Sequence, residues 1–122
     1  MTKLPKLCLV VCGGTITMAY DSNSGALVPS HAAEEILKLV PELSSIAAID
    51  SVFIAIIDST NVTPAIWYKI AKAIEQRVDQ YDGFIVTHGT DTMAYSASAL
   101  SFLLQGLSKP VIFTGAQAPI TG

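Results

Sequence analysis

Apolar residues in this chain come in short blocks, separated by segments with helical periodicity. Four blocks rich in β-branched residues stand out: 7–12 (LCLVVC), 52–57 (VFIAII), 84–87 (FIVT) and 111–114 (VIFT). None alternates with polar residues, so each reads as a strand buried on both faces, as in a parallel sheet. Ser30 precedes HAAEEILKLV, with Glu34 and Glu35 in the early turns and Pro41 closing the segment. Thr63-Pro64 supplies a capping side chain and then a proline suited to the first helical position. From there Trp67, Ile70, Ile74 and Val78 form one apolar stripe. A third helix opens at Asp91 or Thr92, runs through MAYSASALSFLLQ and stops at Gly106. The polar stretch from Thr17 to Pro29 reads as a loop or small hairpin. The order β-α-β-α-β-α-β predicts an α/β fold: a doubly wound parallel sheet in a three-layer α-β-α sandwich.

Composition narrows this further. The 122 residues suffice for one domain; 51% are hydrophobic and only 14% charged, which excludes disorder. So little charge implies that part of the apolar surface belongs against more chain or another subunit. A net charge of −3, with no run of Lys or Arg, excludes nucleic acid as the main partner. No apolar run approaches the ~18 residues of a membrane span. Lys3 and Lys6 precede an apolar block shorter than the ~7–15 residues of a secretory signal, so the reading is a cytoplasmic first strand. Cys8 and Cys12 lie on one face of that strand at a spacing poor for a disulfide, with no zinc set around them. They read as buried, reduced thiols, and neither metal nor cofactor is expected.

Ligands of open parallel sheets bind beyond the carboxyl ends of the strands. Gly13, Gly14 and Thr15 follow the first block. Asp58, Ser59, Thr60 and Asn61 follow the second, His88, Gly89, Thr90 and Asp91 the third, and Gly115, Ala116 and Gln117 the fourth. Small hydroxyls, an acid and glycines thus converge on one edge and suit a small polar molecule with a carbonyl or carboxylate. Each residue alone reads as a cap or turn; two Gly-Thr edges and an Asp-Ser edge together read as a site. His88, with no nucleophile beside it, reads as a satisfied structural histidine. GGTITM is neither a dinucleotide fingerprint nor a P-loop.

GGTI, DSTNVTPAIW and THGTDTM, in that order, with VIFTGAQAP after them, resemble the motifs of the bacterial-type L-asparaginase family. The resemblance runs from Leu7 to Gly122. It implies that residues 1–122 are the N-terminal part of the family's larger, N-terminal α/β domain, flavodoxin-like and truncated, without the C-terminal domain. It implies hydrolysis of L-asparagine to L-aspartate and ammonia by a threonine nucleophile through an acyl-enzyme. By match, Thr15 is that nucleophile, Thr90 and Asp91 form a second catalytic group, and Asp91 binds the substrate's α-amino group. Ser59 holds the α-carboxylate; Thr60, where the family often has Gln or Glu, and Ala116 complete the binding set. The family's loop tyrosine is replaced near Ala26, and Tyr20 is assigned to close over Thr15 in its stead. The family's catalytic lysine falls beyond residue 122; Lys109 precedes a strand, at the wrong end, so this stretch alone is expected to be inactive. A homo-oligomer and a small amino-acid amide are the implied partners.

Two other readings stand beside it. GGTI, a turn like TGAV, VTPA and HGTDTM also resemble the related subunit of the archaeal amidotransferase that makes glutaminyl-tRNA. That subunit carries a further N-terminal domain, for which the position of Thr15 leaves no room. The other is a non-catalytic amino-acid-binding module.

Overall fold

A computed structural model describes residues 3–13, 18–20, 23, 27–29, 37–38, 40–55 and 59–116. Strand β1 (Lys6–Val11) lies between β4 (Ala48–Phe53) and β5 (Gly83–Thr87), and β6 (Val111–Thr114) pairs with β5. All three pairings are parallel. The expected hairpin is present: β2 (Met18–Tyr20) runs antiparallel to β3 (Leu27–Pro29). Helices α1 (Pro64–Glu75) and α2 (Met93–Leu103) each follow a strand and return the chain to the next. The result is a parallel four-stranded sheet with flanking helices, as the alternation of patterns predicted.

The core lies between the sheet and these two helices. Cys8, Val10 and Cys12 from the β1 segment and Phe84 and Val86 from β5 pack against Ile70 and Ile74 of α1 and Leu100 of α2. The opposite face carries a smaller cluster of Leu9 and Val11 with half-buried Ile49 and Ile85. Both cysteines are free and buried.

Three expectations need correction. The second strand is residues 48–53 rather than 52–57, because pairing with β1 starts at Lys6↔Ala48 and ends with β1 itself at Val11↔Phe53. Asp50 and Ser51, inside β4 but ahead of the apolar block 52–57, are tolerated because β4 lies at the edge of the sheet: both are exposed, and Asp50 accepts a hydrogen bond from the Tyr81 hydroxyl at 3.0 Å. Burial on both faces therefore holds for the central strands β1 and β5 and not for β4 or β6, where Phe53 and Ile112 are more than half exposed. The α1 stripe stops short of Val78, since the helix ends at Glu75 and residues 76–80 form turns.

The helix starts fall where the sequence put them, but by other means. Thr63 and Thr92 occupy the N-cap positions and Pro64 opens α1, yet neither threonine side chain makes a capping hydrogen bond. α2 ends at Leu103, and Gly106 follows in a left-handed turn. Most of the first predicted helix lies outside the described residues; Leu37 and Lys38 are helical, and Pro41 opens a 3-10 turn (Pro41–Ser45). The expected apolar surplus is visible in Tyr95, Phe102 and Ile112, which are 60–74% exposed.

Candidate active site

The strand order β4-β1-β5-β6 decides where a ligand would sit. The chain leaves β1 for one side of the sheet and β5 for the other, so a crevice opens at the carboxyl ends of these two strands. Beyond β1, the Cys12 amide donates to the Thr87 carbonyl at 3.1 Å, and Gly13 then turns the backbone at φ 96°, which side-chain-bearing residues rarely adopt. Gly14 and Thr15 lie outside the described residues. Beyond β5 come His88, Gly89, Thr90 and Asp91, and then the start of α2, whose partial positive charge faces the same edge.

Two glycines hold three strand-end loops together by close approach. A Cβ on Gly89 would lie 2.7 Å from Ser59 Cβ and 2.8 Å from its Oγ, while a Cβ on Gly115 would lie 2.5 Å from the His88 carbonyl oxygen and 3.2 Å from Thr90 Cγ2. Ser59 opens a short 3-10 turn and is buried. Its carbonyl accepts the Thr92 hydroxyl at 2.6 Å, so the hydroxyl expected to cap α2 instead ties the Ser59 turn to the helix start. The structure thus brings together Ser59, Gly89, Thr90 and Gly115, with Ala116 next in the chain and half-buried. Asp91 is exposed beside Thr90, and Thr60 is exposed beside Ser59. Tyr20 closes β2 opposite Leu27; its side chain and Ala26 lie outside the described part of the chain.

His88 is fully buried, and each ring nitrogen has a partner. Nδ1 is 2.6 Å from the Gly89 carbonyl, and Nε2 is 2.8 Å from Ser96 Oγ. A carbonyl only accepts, which assigns the proton to Nδ1 and leaves Nε2 to accept the Ser96 hydroxyl. Ser96 in turn accepts the Trp67 indole N–H at 2.8 Å. This chain from α1 through α2 to the β5 loop fixes the backbone that carries Gly89 and Thr90. His88 is a structural histidine, as the sequence suggested, and it positions the loop.

Two further groups bear on the chemistry. Burial pushes the Cys12 thiol up to about 12, so a cysteine two residues after the Val10 core position is no nucleophile at neutral pH. Thr87, at the end of β5, is 1% exposed, and its hydroxyl has no hydrogen-bond partner among the described residues. Lys109 donates its ammonium to the Tyr81 carbonyl at 2.8 Å, just ahead of β5 and so at the opposite edge of the sheet, as expected. Among the described residues no group of three or more His, Cys, Asp or Glu is placed to hold a metal ion, and no helix is long and apolar enough to cross a membrane.

Sequence reasoning missed the Trp67–Ser96–His88 network and the role of Thr92. The signal for the first was present: an indole N–H and a serine in otherwise apolar helices must find partners when buried.

The family model described as asparaginase, N-terminal, matches residues 6–122. The chain is 44% identical over 115 residues to a glutamyl-tRNA(Gln) amidotransferase subunit of Pyrococcus horikoshii, covering 93% of this chain and 26% of that protein. To its counterpart in Archaeoglobus fulgidus, which bears the same name, it is 42% identical, covering 93% and 27%. Among solved structures, the thermostable L-asparaginase of Thermococcus kodakarensis superposes with a TM-score of 0.82 at 38% identity, covering 96% of this chain and 35% of that one. L-asparaginase I of Vibrio cholerae gives 0.83 at 37%, covering 98% and 36%. The chain therefore spans about a quarter of the length of these curated relatives and about a third of the enzymes it superposes on. Fold, motif order and these likenesses agree: the chain belongs to the asparaginase family.

Proposed function

We propose that this chain carries the nucleophile edge of an amidohydrolase that releases ammonia from the side-chain amide of L-asparagine. The observation that carries the reading is the meeting of the Ser59, Gly89–Thr90 and Gly115 turns at the switch point, with Gly13 turning the chain there just ahead of Thr15. In this reading the Thr15 hydroxyl attacks the amide carbon and its proton leaves with the amine, so that ammonia departs and a threonyl ester remains. Water then cleaves the ester and restores the hydroxyl. A threonine hydroxyl is a weak nucleophile and needs both activation and a stabilised oxyanion. Backbone N–H groups at the glycine turn would supply the latter, each worth ~3–4 kcal/mol. Ser59 holds the α-carboxylate, with Thr60 and Ala116 lining the pocket, Asp91 takes the α-amino group, and Thr90 with Asp91 moves protons.

A second reading has a specific observation behind it: the curated relatives at 42–44% identity carry the name of an amidotransferase component, whereas the superposed asparaginases stand at 37–38%. There the same threonine would release ammonia from glutamine for use on a tRNA-bound acyl group. The two differ in substrate by one methylene, worth ~1–3 kcal/mol in a pocket, and in their dependence on tRNA. Ammonia release by the native gene product, measured with free asparagine, with free glutamine, and with glutamine plus glutamyl-tRNA(Gln), separates them. Turnover of asparagine alone supports the first reading, and glutamine turnover that requires the charged tRNA supports the second. No ammonia from any of the three sinks both.

A further inference from the structure

The edge of the sheet away from β6 carries a feature with no part in amide hydrolysis. β4 pairs with β1 on one side only, and among the described residues no strand covers its other side. Beside that edge runs a groove of about 400 Å³ between the end of β4 and α1. Its sheltered lining is apolar: Val52 and Ile54 are half-buried and Ala73 is buried. Its exposed lining is cationic and aromatic. Lys69 and Lys72 stand exposed one helical turn apart on α1, and Phe53 is 56% exposed; Arg77, half-buried just past the helix end, donates to the Ala73 carbonyl at 3.0 Å and adds its charge beside them.

These cations are unneutralised. Lys6 and Asp50 form an ion pair at 3.8 Å, but among the described residues no carboxylate pairs with Lys69, Lys72 or Arg77. Among the described residues no carboxylate lines the groove. The concentration of positive charge stands out in a chain whose net charge is −3. An unpaired strand edge offers backbone donors and acceptors, and proteins usually shield such edges. Here the shielding cations sit on the neighbouring helix, set back from β4 across a groove with an apolar base. That arrangement leaves room for one added strand, whose backbone would pair with β4. Alternate side chains of such a strand would point to opposite faces, acidic ones over the α1 face toward the lysines and apolar ones on the other face beside exposed Phe53.

We infer that this groove docks an extended acidic segment of a partner protein, added to β4 as a further strand with its carboxylates on Lys69, Lys72 and Arg77. The apolar base favours such a segment over a nucleic-acid strand, whose phosphates would be stranded there. None of these residues belongs to the amide-hydrolysing edge, so the inference stands apart from the proposed activity.

Fluorescence anisotropy with defined probes tests it: a short labelled peptide alternating Val and Glu, its Val-Lys counterpart, the Val-Glu peptide N-methylated at alternate residues, and a short single-stranded RNA. The Val-Glu peptide binds, and added salt weakens it. The N-methylated form does not bind, because it cannot complete the ladder. The Lys69→Glu/Lys72→Glu double variant, whose melting curve should match the parent because both side chains are exposed, binds Val-Glu about five- to tenfold more weakly and gains affinity for Val-Lys. Several results would overturn the inference: Val-Glu binding no tighter than Val-Lys, equal binding by the N-methylated peptide, or tighter binding by the RNA. Absence of any binding would do the same and would reduce the lysines to guards of an idle edge.

Discussion

Substituting Gly89 by alanine probes the contact on which the candidate site is built. The added methyl would sit 2.7 Å from Ser59 Cβ and 2.8 Å from Ser59 Oγ. Comfortable carbon–carbon contact begins near 3.5 Å, so roughly 0.8 Å must be absorbed. Neither side yields cheaply. The Ser59 carbonyl holds the Thr92 hydroxyl and the Val62 amide, and the Gly89 carbonyl holds the His88 ring. Overpacking of this kind costs about 1–3 kcal/mol. Because the strain falls between the carboxylate-binding turn and the Thr90 loop, a shift approaching 1 Å should lower kcat/KM by about a hundredfold. Urea denaturation and steady-state ammonia release, both on the native gene product, measure the two effects. Gly106→Ala is the matched control: its φ of +77° strains an alanine, but nothing lies within 4 Å, so stability falls by about 1 kcal/mol while turnover holds. Wild-type turnover in Gly89→Ala would refute the placement of Ser59 and Thr90 in one site, whatever happened to stability.

Three other expectations follow from buried groups. Ser96→Ala strips partners from both His88 Nε2 and the Trp67 indole, which should cost about 2–4 kcal/mol in denaturant unfolding and shift the tryptophan emission; a loss under about 0.5 kcal/mol would mean that the network is not formed. Thr87→Val replaces a buried hydroxyl, unpartnered among the described residues, by a methyl of the same shape, so the melting temperature should hold or rise; a clear fall would show that the hydroxyl has a partner. Burial raises Cys12 from 9.0 to about 12 and moves Cys8 in the same direction, so the folded state holds these protons more tightly than the unfolded state. The stability this contributes is complete below pH 9 and is lost as the pH rises toward 12, at about 1.4 kcal/mol per pH unit for each thiol in its window. Cys12→Ala should flatten that alkaline slope, and an unchanged slope would contradict the assignment.

How much of this was legible in the sequence depends on what each residue's environment is made of. The central strands were readable because burial on both faces forces uninterrupted apolar runs, as in β1 and β5. β4 was misplaced by four residues because an edge strand is free to hold Asp50 and Ser51, and its bounds are set by its partner Lys6–Val11 rather than by its own apolar run. Thr63 and Thr92 marked the helix starts, but Thr92 spends its hydroxyl on the Ser59 carbonyl, a contact 33 residues away that no local pattern announces. Of the site, Ser59, Gly89, Thr90 and Gly115 were legible from their positions after apolar runs, and their close approach was not, since it depends on two missing Cβ atoms. The cationic groove was hidden because Lys69, Lys72 and Arg77 gather only when the helix winds.

In the proposed reaction Thr15 becomes acylated. Rapid acid quenching of the native gene product mixed with L-asparagine, and separately with L-glutamine, followed by digestion and mass spectrometry, tests it most directly. An aspartyl or glutamyl ester is expected on the peptide containing Thr15, absent from Thr15→Ala, which should release no ammonia. An ester on another residue, or ammonia release that persists in Thr15→Ala, would contradict it.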